Sequence, residues 1–447
     1  TTRGLYDQIG GGFFRYSVDA RWEIPHFEKM LYDQAALLGL LGDAVAAGLL
    51  PEGGGALAAS IGFLARELRA PEGGFYASLD ADSEGHEGLF YTWTPAEIEE
   101  ALGQDAGEAI EAFGVTAEGH LEGRSVLHLP GGAPPDEIDP GLEELTDRLL
   151  AARSARIRPD LDDKVLSSWN SLMISALSEA GAVLGRTDYL EAAQRCADFI
   201  WNGMRSPQGN LLRTWRQGEA RLNAYLEDHA FLLEALLDLY QACFDPVVFD
   251  RARAVAETMI DRFSDPARGG FFTTSHDHEE LIARRKDVGD HPIPASSSSA
   301  ALGLLRLAAM TGESAYRRKA EEVLKLLAPA TSRQPAAFGH LLQALAFYHS
   351  GGAELAIAWP ADADAEADRP GCAVPAAAEP LVAEARRRYR PNLVIAGGPD
   401  GSSTPPLMQD RTSLEGQPAA YVCQSFTCQA PVNDPAELGK ELDALDQ

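Results

Sequence analysis

A loop that combines glycines with aromatic residues recurs along this chain, and it restricts the fold more than any other feature. It lies near residues 10, 73, 209 and 269, so the spacing is roughly sixty residues or a multiple of it. Between the loops, apolar residues follow a helical spacing in pairs of segments joined by short turns. The pattern predicts stacked helical hairpins, in an open solenoid or a closed ring. Because the repeated loops would share one face, we favour the ring: a mostly α fold, with an (α/α) toroid over residues 1–350.

Local signals place several of these helices. The helical spacing is strongest at residues 167–184 and 225–244. Residues 94–97 (Thr-Pro-Ala-Glu) form the pattern of a capping box, which starts a further helix. Pro25 suits the first turn of a helix, because the missing N–H has no partner to lose there. We therefore expect the first helix to begin at this proline.

The character of the chain changes after Gly351. Short apolar runs at residues 354–359 and 392–396 have the composition of strands, and a helical segment at 375–388 lies between them. This strand–helix–strand order predicts a small α/β appendage over residues 351–447.

The composition excludes several classes of partner. Asp and Glu outnumber Lys and Arg by 67 to 38, a net charge of −29, so nucleic acid and anionic membranes would be repelled. No signal peptide and no apolar run of bilayer length is present, which predicts a cytoplasmic protein with reduced thiols. The five cysteines are odd in number and widely spaced, which argues against a disulfide framework. The chain begins without methionine, so we expect a fragment of a longer protein.

Three carboxylates in the second glycine loop are candidates for acid–base chemistry. Asp80, Asp82 and Glu84 are spaced by two, so in an extended segment they share one face and would converge near Trp93. Paired carboxylates of this kind hydrolyse sugars. A calcium loop is a weaker alternative, because its twelfth position would be Tyr91 instead of glutamate. The other alternative is a solvated loop with hydrogen-bonded turns.

A charged loop precedes the helix predicted at residues 167–184. Asp162, Asp163 and Lys164 come just before Trp169 and Asn170. Such a loop could hold a polar substrate against the tryptophan ring. An ion-pair network with helix capping explains the same residues equally well.

Two further helix starts carry groups that could act on a substrate. His26 and Glu28 lie in the first turn predicted after Pro25, and Asp33 follows about two turns later. His26 could transfer a proton, or it could simply order its loop through hydrogen bonds. Glu227 and Asp228 open another helix, where the helix dipole alone favours carboxylates.

Aromatic side chains lie in or beside several of the predicted loops. Rings close to carboxylates suit a carbohydrate, whose C–H faces stack on rings while its hydroxyls need hydrogen bonds. For any single residue, packing of the loop onto helix ends is the simpler explanation. The candidate substrate-binding residues of this group are Tyr16, Trp22, Trp93 and Trp169, and Arg284 is a further candidate.

Signals for metals and cofactors are weak. His276 with His278, and Cys423 with Cys428, each lack a second ligand pair at a suitable spacing. No dinucleotide-binding, phosphate-loop or nucleophile-elbow motif is present. We therefore expect neither a metal nor a cofactor.

Five stretches together resemble one known family, the thioredoxin-domain-fused proteins related to bacterial YyaL and to the spermatogenesis-associated thioredoxin-like protein. They span nearly the whole chain, and as a set they are specific. The stretches are YDQIGGGFFRYSVDARWEIPHFEKMLYDQA, GGFYASLDADSEGHEGLFYTW, RPDLDDKVLSSWNSLMISAL, AYLEDHAFLLEALLDLY and YVCQSFTCQAPVNDP.

The resemblance implies a six-hairpin (α/α) toroid similar to N-acylglucosamine 2-epimerases and to several glycoside hydrolases. It also implies a thioredoxin-like domain before the toroid, which this sequence does not contain. The sequence departs from the family pattern at Phe14, where a histidine is usual, and this removes a polar group from the expected mouth of the toroid. Further departures are Ser171 in place of Gly, residues 295–297 in place of Ser-Gly-Asn, and His229 in place of Tyr.

The candidate residues and the family resemblance together predict a carbohydrate-active enzyme with its site at the toroid mouth. It would be either a glycoside hydrolase or a sugar epimerase or isomerase. The alternative is a non-catalytic module that binds a glycan or a protein and works with a thioredoxin-like domain. The surplus of carboxylates over histidines slightly favours hydrolysis. The catalytic candidates are Asp80, Asp82, Asp163 and His26, and the substrate-binding candidates are Tyr16, Trp22, Glu28, Trp93, Asp162, Lys164, Trp169, Asn170, Glu227, Asp228 and Arg284.

Overall fold

The computed structural model describes residues 1–50, 55–130, 140–278, 282–362, 372, 374–424 and 427–445. Helices dominate as far as residue 350, and a small sheet follows. The helices are α1 (Leu31–Ala46), α2 (Gly55–Phe63), α3 (Pro95–Leu102), α4 (Ala106–Ala112), α5 (Pro140–Ser154), α6 (Ser167–Leu184), α7 (Thr187–Gly203), α8 (Leu226–Cys243), α9 (Pro246–Phe263), α10 (Ser296–Thr311), α11 (Ser314–Thr331), α12 (Gly339–Ser350), α13 (Glu379–Arg386) and α14 (Pro435–Leu445). The strands are β1 (Tyr16–Ser17), β2 (Pro25–His26), β3 (Lys29–Met30), β4 (Ser78–Leu79), β5 (Asp82–Ser83), β6 (His86–Glu87), β7 (Leu161–Asp162), β8 (Val165–Leu166), β9 (Leu212–Arg216), β10 (Glu219–Asn223), β11 (Ala353–Trp359), β12 (Leu393–Pro399), β13 (Ala419–Gln424) and β14 (Thr427–Cys428).

The helices divide into an inner and an outer set. Within the described ranges, α1, α6, α8, α10 and α12 pack side by side in this order, and α2, α7, α9 and α11 pack beside the inner helices that they follow. Burial reflects this division: fourteen of the eighteen residues of α8 are buried, but only seven of the eighteen in α9. A helix that is apolar nearly all round belongs inside, and an amphipathic helix covers it. The (α/α) toroid class of fold predicted from the repeat is confirmed.

The inner helices all begin on the same face. The sheet β3–β4–β7 joins the residues before α1 to those before α6, and the sheet β8–β9–β10 continues towards α8. The backbone N–H of Ser168 in α6 donates to Asp228 in α8. Asp290 accepts backbone N–H groups from Ala295, before α10, and from His340 in α12. We call this face, with the loops that precede the inner helices, the mouth, and the space that the inner helices surround the lumen.

The four glycine loops close with similar backbone hydrogen bonds, which explains the repeat. In each loop, the residue that opens the turn donates its backbone N–H to a carbonyl four or five residues later. In the first loop Gly11 has φ +71°, and a Cβ there would lie 2.3 Å from the carbonyl oxygen of Ala59, so only glycine fits. The four donor–acceptor pairs are Asp7 and Gly12, Ala70 and Gly74, Ser206 and Asn210, and Asp265 and Gly270.

The first helix begins later than Pro25, and that expectation was wrong. Pro25 and His26 form β2, which pairs with Ser17 and Tyr16. Lys29 then pairs with β4, and α1 begins at Leu31. The backbone before Leu31 pairs with neighbouring strands, so it cannot also make the hydrogen bonds of a helical turn.

A separate cluster of helices lies between the first two inner helices in the chain. Helices α3, α4 and α5 share a hydrophobic core of their own, which includes Trp93, Phe113 and Leu149. The predicted capping box starts α3: Thr94 and Glu97 each bind the other residue's backbone N–H. Residues 1–350 therefore contain this cluster in addition to the ring.

The appendage after Gly351 has the predicted α/β character. Its sheet has the order β12–β11–β13–β14, with β12 parallel and β13 antiparallel to β11. Apolar residues of β11, α13 and α14 belong to the same hydrophobic core as the ring. Arg386 in α13 donates to the carbonyls of Gln241 and Ala242 near the end of α8. The appendage thus packs at the end of α8 that lies away from the mouth.

One cysteine prediction was wrong. Cys423 and Cys428 form a disulfide across β13 and β14, where they are directly paired. Their separation of five residues suits a tight hairpin, so they act neither as free thiols nor as metal ligands. Of the helices that are described, none is both long enough and apolar enough to cross a membrane.

Candidate active site at the toroid mouth

A short hairpin places His26 among polar groups at the mouth. Its Nδ1 lies 2.6 Å from a carboxylate oxygen of Glu87 in β6, and its Nε2 lies 3.5 Å from Glu28. The ring of Tyr16 stacks on the imidazole, with 5.0 Å between centroids. Tyr16 and Trp22 are 50% and 54% exposed, so both predicted aromatic residues are accessible to a ligand.

Arg15 connects Glu28 to the first turn of α1. Its Nη1 donates to Glu28 over 2.9 Å, and its Nε donates to the hydroxyl of Tyr32 over 3.1 Å. Tyr32 contacts Trp169 in α6 edge to face, with 4.8 Å between centroids. Because Trp169 is only partly buried, these contacts form an aromatic and ionic wall between two neighbouring inner helices.

Asp33 is the unusual carboxyl of this wall. It is partly buried, and one of its oxygens has no hydrogen-bond partner among the described residues. Burial raises its pKa from 3.8 to about 7; the charge of Arg15 opposes this shift, and that of Glu28 adds to it. Asp33 therefore exchanges a proton near neutral pH, as a general acid or base must. In the sequence Asp33 stands out only by its spacing from His26, and it was not among the predicted catalytic residues.

Asp163 lies at the mouth in a different electrostatic state. Hydrogen bonds from Gln217 and Arg216 lower its pKa, so it stays ionised at neutral pH. It can orient a substrate or stabilise positive charge, but it does not hold a proton to donate. Asp162 and Lys164 pair with each other over 3.0 Å, which is the alternative that the sequence left open for this loop.

Asp80 and Asp82 do not converge on Trp93, and this prediction was wrong. Both carboxylates are exposed beside the β5–β6 hairpin, where Asp82 pairs with Glu87. Trp93 is 1% exposed, lies in the core of α3–α5, and has the guanidinium of Arg156 3.9 Å above its ring. It has no free face for a sugar, so a stacking role does not fit.

Several predicted substrate residues bind the protein itself. Asn170 is fully buried, and its amide exchanges hydrogen bonds with the backbone N–H and carbonyl of Phe75. Arg284 donates to the carbonyl of Thr274. Asn170 thus attaches the second glycine loop to α6, and Arg284 holds together the connection between α9 and α10. A role in substrate binding does not fit either side chain.

Two carboxylates at the start of α8 share one arginine. Arg213 donates to Glu227 over 2.6 Å and to Asp228 over 3.1 Å. Asp228 is fully buried and also accepts the backbone N–H groups of Ser168 and Tyr225. Burial raises its pKa to about 6. Asp228 therefore joins two inner helices, while Glu227 remains partly accessible.

Phe14 is not at the mouth, contrary to expectation. It is 3% exposed and packs against Phe27 and Tyr91, with the ammonium of Lys29 4.8 Å from its ring centroid. The departure from the family pattern at Phe14 therefore alters a buried cluster and leaves the surface of the mouth unchanged.

A layer of ionisable groups lies inside the ring and was not predicted from the sequence. Asp43, Glu179 and Asp238 each lie twelve residues after the first residue of α1, α6 and α8, which places them about 18 Å below the mouth. The charge of Asp238 acts on Asp43 although α6 lies between their helices, so these side chains point into the lumen. Burial, Asp238 and Asp43 hold the pKa of Glu179 well above its ordinary value. Burial and Asp238 raise the pKa of Asp43 to about 6.

Two basic groups balance part of this layer. Arg306 in α10 pairs with Asp238, and Nε2 of His340 in α12 lies 3.0 Å from Glu234 in α8. Although burial opposes protonation, Glu234 raises the pKa of His340. In the sequence, these residues are single charged positions inside otherwise apolar helices. Helical periodicity alone assigns such positions to the core.

The described residues contain no group of three or more side chains that could hold a metal ion. What the mouth offers is acid–base chemistry: a carboxyl that titrates near pH 7, ion-paired carboxylates, a histidine and exposed aromatic rings. Such a set can transfer protons to or from a polar, neutral ligand.

Comparisons with known structures return sugar enzymes at low similarity. Cellobiose 2-epimerase from Bacillus thermoamylovorans matches with a TM-score of 0.42 and 13% identity over 77% of this chain and 67% of that one. A GH76 α-mannanase from Bacteroides thetaiotaomicron matches with a TM-score of 0.31 and 12% identity over 66% and 73% of the two chains. At this similarity neither activity nor substrate transfers to this chain.

Sequence comparisons give a stronger result, although no family model matches. Spermatogenesis-associated protein 20 of Homo sapiens is 31% identical over 98% of this chain and 61% of the human protein. An uncharacterized protein of Caenorhabditis elegans is 28% identical over 97% and 64% of the two chains. This chain thus spans about three-fifths of the length of these relatives. The resemblance seen in the sequence is confirmed: over nearly its whole length this chain is homologous to spermatogenesis-associated protein 20.

Proposed function

We propose that this chain is a carbohydrate-active enzyme, of the glycoside hydrolase or sugar epimerase type, with Asp33 as its acid–base group. The observation that carries the proposal is the state of Asp33: partly buried, with one oxygen unpartnered among the described residues and a pKa of about 7. A carboxyl with this pKa is half protonated at neutral pH, so it can both give and accept a proton. Ordinary surface carboxylates are fully ionised there.

The neighbours of Asp33 suit a sugar. Trp169 and Tyr32 form an aromatic edge, and the exposed rings of Tyr16 and Trp22 lie on the hairpin that carries His26. Rings of this kind bind the apolar faces of a sugar, while charged groups bind its hydroxyls. Glu28 is held by Arg15 over 2.9 Å, so a carboxylate in a fixed position accompanies the titrating one.

The two reaction types differ in the second group that they need. Hydrolysis uses a pair of carboxyl groups, which Asp33 and Glu28 would supply. Epimerisation at carbon uses bases on two faces of the sugar, and His26 would then be the second. His26 is already bound by Glu87 over 2.6 Å and by Glu28 at 3.5 Å, so we favour hydrolysis.

The test is a turnover screen of the purified chain against disaccharides and monosaccharides, with products resolved by NMR so that cleavage and epimerisation are distinguished. We expect turnover of one sugar class, reduced at least about a hundredfold in Asp33→Asn. Asp80→Asn is the matched control, because that carboxylate is exposed at the β5–β6 hairpin. Equal turnover in Asp33→Asn and in the wild type would overturn the assignment of Asp33.

A non-catalytic binding module is the second candidate, and the ion pairing at the mouth favours it. Asp163 with Arg216 and Glu227 with Arg213 are engaged within the protein, as in a site that only holds its ligand. Such a module would present a glycan or a protein to a thioredoxin-like partner. Sugar binding without turnover, lost in Trp169→Ala, would establish this candidate in place of the enzyme.

A further inference from the structure

A small cavity lies behind the sheet that borders the mouth. Lys29, Leu79 and Leu161 are cross-strand neighbours in β3, β4 and β7, and all three line a cavity of about 120 Å³. Because side chains alternate between the two faces of a strand, Asp162 in β7 points to the face opposite Leu161. Glu28, the residue before β3, pairs with Arg15, and neither residue lines the cavity. The cavity is therefore distinct from the proposed sugar site.

The floor of the cavity carries an excess of buried positive charge. Nζ of Lys29 donates to Asp7 over 2.7 Å, and Nη1 of Arg153 donates to the other oxygen of Asp7 over 2.8 Å. Lys29 is fully buried, and Asp7 and Arg153 are 5% and 4% exposed. One carboxylate thus serves two cations, and a buried charge without a counterion is unfavourable.

The rim of the cavity also carries more positive than negative charge. Arg66 donates to Glu67 over 2.8 Å, and Arg158 pairs with the same carboxylate. Four basic side chains and two carboxylates therefore line the cavity, which gives it a formal charge of +2. This stands out in a chain whose net charge is −29.

Two donors on the floor point to a missing ligand. The hydroxyl of Tyr91 and Nε of Arg153 have no hydrogen-bond partner among the described residues, and Tyr91 is 5% exposed. Buried donors are nearly always satisfied, and leaving one unpaired costs about 1–3 kcal/mol. An acceptor that carries negative charge would satisfy both orphan donors and offset the excess of cations.

The rings around Lys29 leave room for such a ligand. The ammonium lies 4.3 Å from the ring centroid of Phe63 and 5.0 Å from that of Tyr91. The ammonium also donates to the backbone carbonyl of Gly11 over 2.8 Å, so it is held in place without filling the cavity. A cavity of about 120 Å³ holds roughly four waters at about 30 Å³ each, which is space for a small polyatomic anion. Leu161 and Arg158, 40% and 50% exposed, lie where it would enter.

We propose that this cavity is a binding site for a small oxyanion, the phosphate or carboxylate group of a small molecule. The anion accepts hydrogen bonds from Tyr91 and Arg153 at the floor and pairs with Arg158 at the rim. In this way it neutralises the excess charge of the cavity and satisfies both orphan donors.

The experiment measures thermal stabilisation of the purified chain by inorganic phosphate, sulfate and acetate, against chloride at equal ionic strength. A ligand that binds only the native state raises the melting temperature by mass action. Stabilisation by phosphate and sulfate alone assigns a tetrahedral group, whereas stabilisation by acetate assigns a carboxylate. Either result, saturable and lost in the variants described next, supports the proposal; the same melting temperature in all four salts overturns it.

Three variants decide whether the stabilisation comes from this cavity. Tyr91→Phe removes one orphan donor and keeps the ring contacts, and Arg158→Gln removes the rim cation while Glu67 keeps Arg66. We expect each substitution to weaken anion binding about tenfold, because each removes one hydrogen bond to a charged group. Arg148→Gln is the control, because its ion pair with Asp105 lies outside the cavity. Equal anion binding in the two cavity variants and the control shows that the anion binds elsewhere.

Discussion

Replacing Asp33 by asparagine should stabilise the protein at pH 8 and leave it nearly unchanged at pH 4. In the folded state the pKa of Asp33 is about 7, and its ordinary value is 3.8. Between these two values the folded chain holds a proton that the unfolded chain has released. Asp33 therefore lowers the free energy of unfolding as the pH rises through this window, and its full effect is reached above pH 7. Asparagine has nearly the same shape and no charge to desolvate.

The size of the effect follows from the pKa difference. One pKa unit corresponds to about 1.4 kcal/mol, so a fully desolvated group with these values would destabilise the folded state by about 4 kcal/mol. Asp33 is only partly buried, and solvent screening reduces the effect of such a group. We expect Asp33→Asn to raise the free energy of unfolding by about 1–2 kcal/mol at pH 8 and by a few tenths at pH 4.

The assay is guanidinium unfolding of wild type and variant at pH 4 and pH 8. The other carboxyl groups titrate in both proteins, so their effects cancel in the difference. Asp163→Asn is the control, and its effect should have the opposite sign. Gln217 and Arg216 lower the pKa of Asp163, so its carboxylate stabilises the folded state above pH 3.8. Replacing it by asparagine should therefore lower the free energy of unfolding at pH 8. A variant Asp33→Asn that is equally or less stable than wild type at pH 8 would refute the reasoning.

Three further substitutions test the contacts that hold the glycine loops and the helix ends. Asn170→Ala leaves the backbone N–H and carbonyl of Phe75 unpaired and should cost about 3 kcal/mol; a loss below 1 kcal/mol in urea unfolding would contradict that role. Gly11→Ala places a Cβ 2.3 Å from the carbonyl oxygen of Ala59 at φ +71°, so the soluble yield or the melting temperature should fall sharply, and an unchanged melting temperature would show that the turn can relax. Thr94→Ala removes the cap of α3 and should lower the free energy of unfolding by about 1 kcal/mol. The midpoint of denaturant unfolding measures this loss, and an unchanged midpoint would show that the cap is redundant.

Much of the fold was predictable because its signals are local. The bounds of α6, Ser167–Leu184, follow from apolar spacing and from Gly185, which adopts the left-handed conformation that ends a helix. The glycine loops repeat in sequence because each needs the same turn. Pro25 misled the prediction because a proline suits a strand end as well as a first helical turn, and strand pairing with residues 16–17 decides between them.

The site was less predictable because its character depends on distant partners. Asp163 and Asp33 are both aspartates near the start of an inner helix. Asp163 meets Arg216 and Gln217 from another strand pair, whereas Asp33 is partly buried with an unpaired oxygen. Trp93 similarly lies in a glycine-rich context, yet Arg156, sixty-three residues later, covers its ring. Spacing identifies which residue types are present, but only tertiary packing determines which carboxylate keeps a proton.

Stability offers a way to separate structural groups from functional ones in this chain. Asn170 and Asp228 satisfy backbone partners, so folding alone accounts for them. Asp33 has one oxygen, and Tyr91 its hydroxyl, without a hydrogen-bond partner among the described residues. Folding alone therefore does not explain these two groups. Groups retained at a cost to the folded state are candidates for contact with a ligand. Since Glu28 contacts the groups at the mouth and the adjacent Lys29 lines the cavity, the two sites would meet at neighbouring residues of the chain, and stabilisation by sugar and by oxyanion should be measured together.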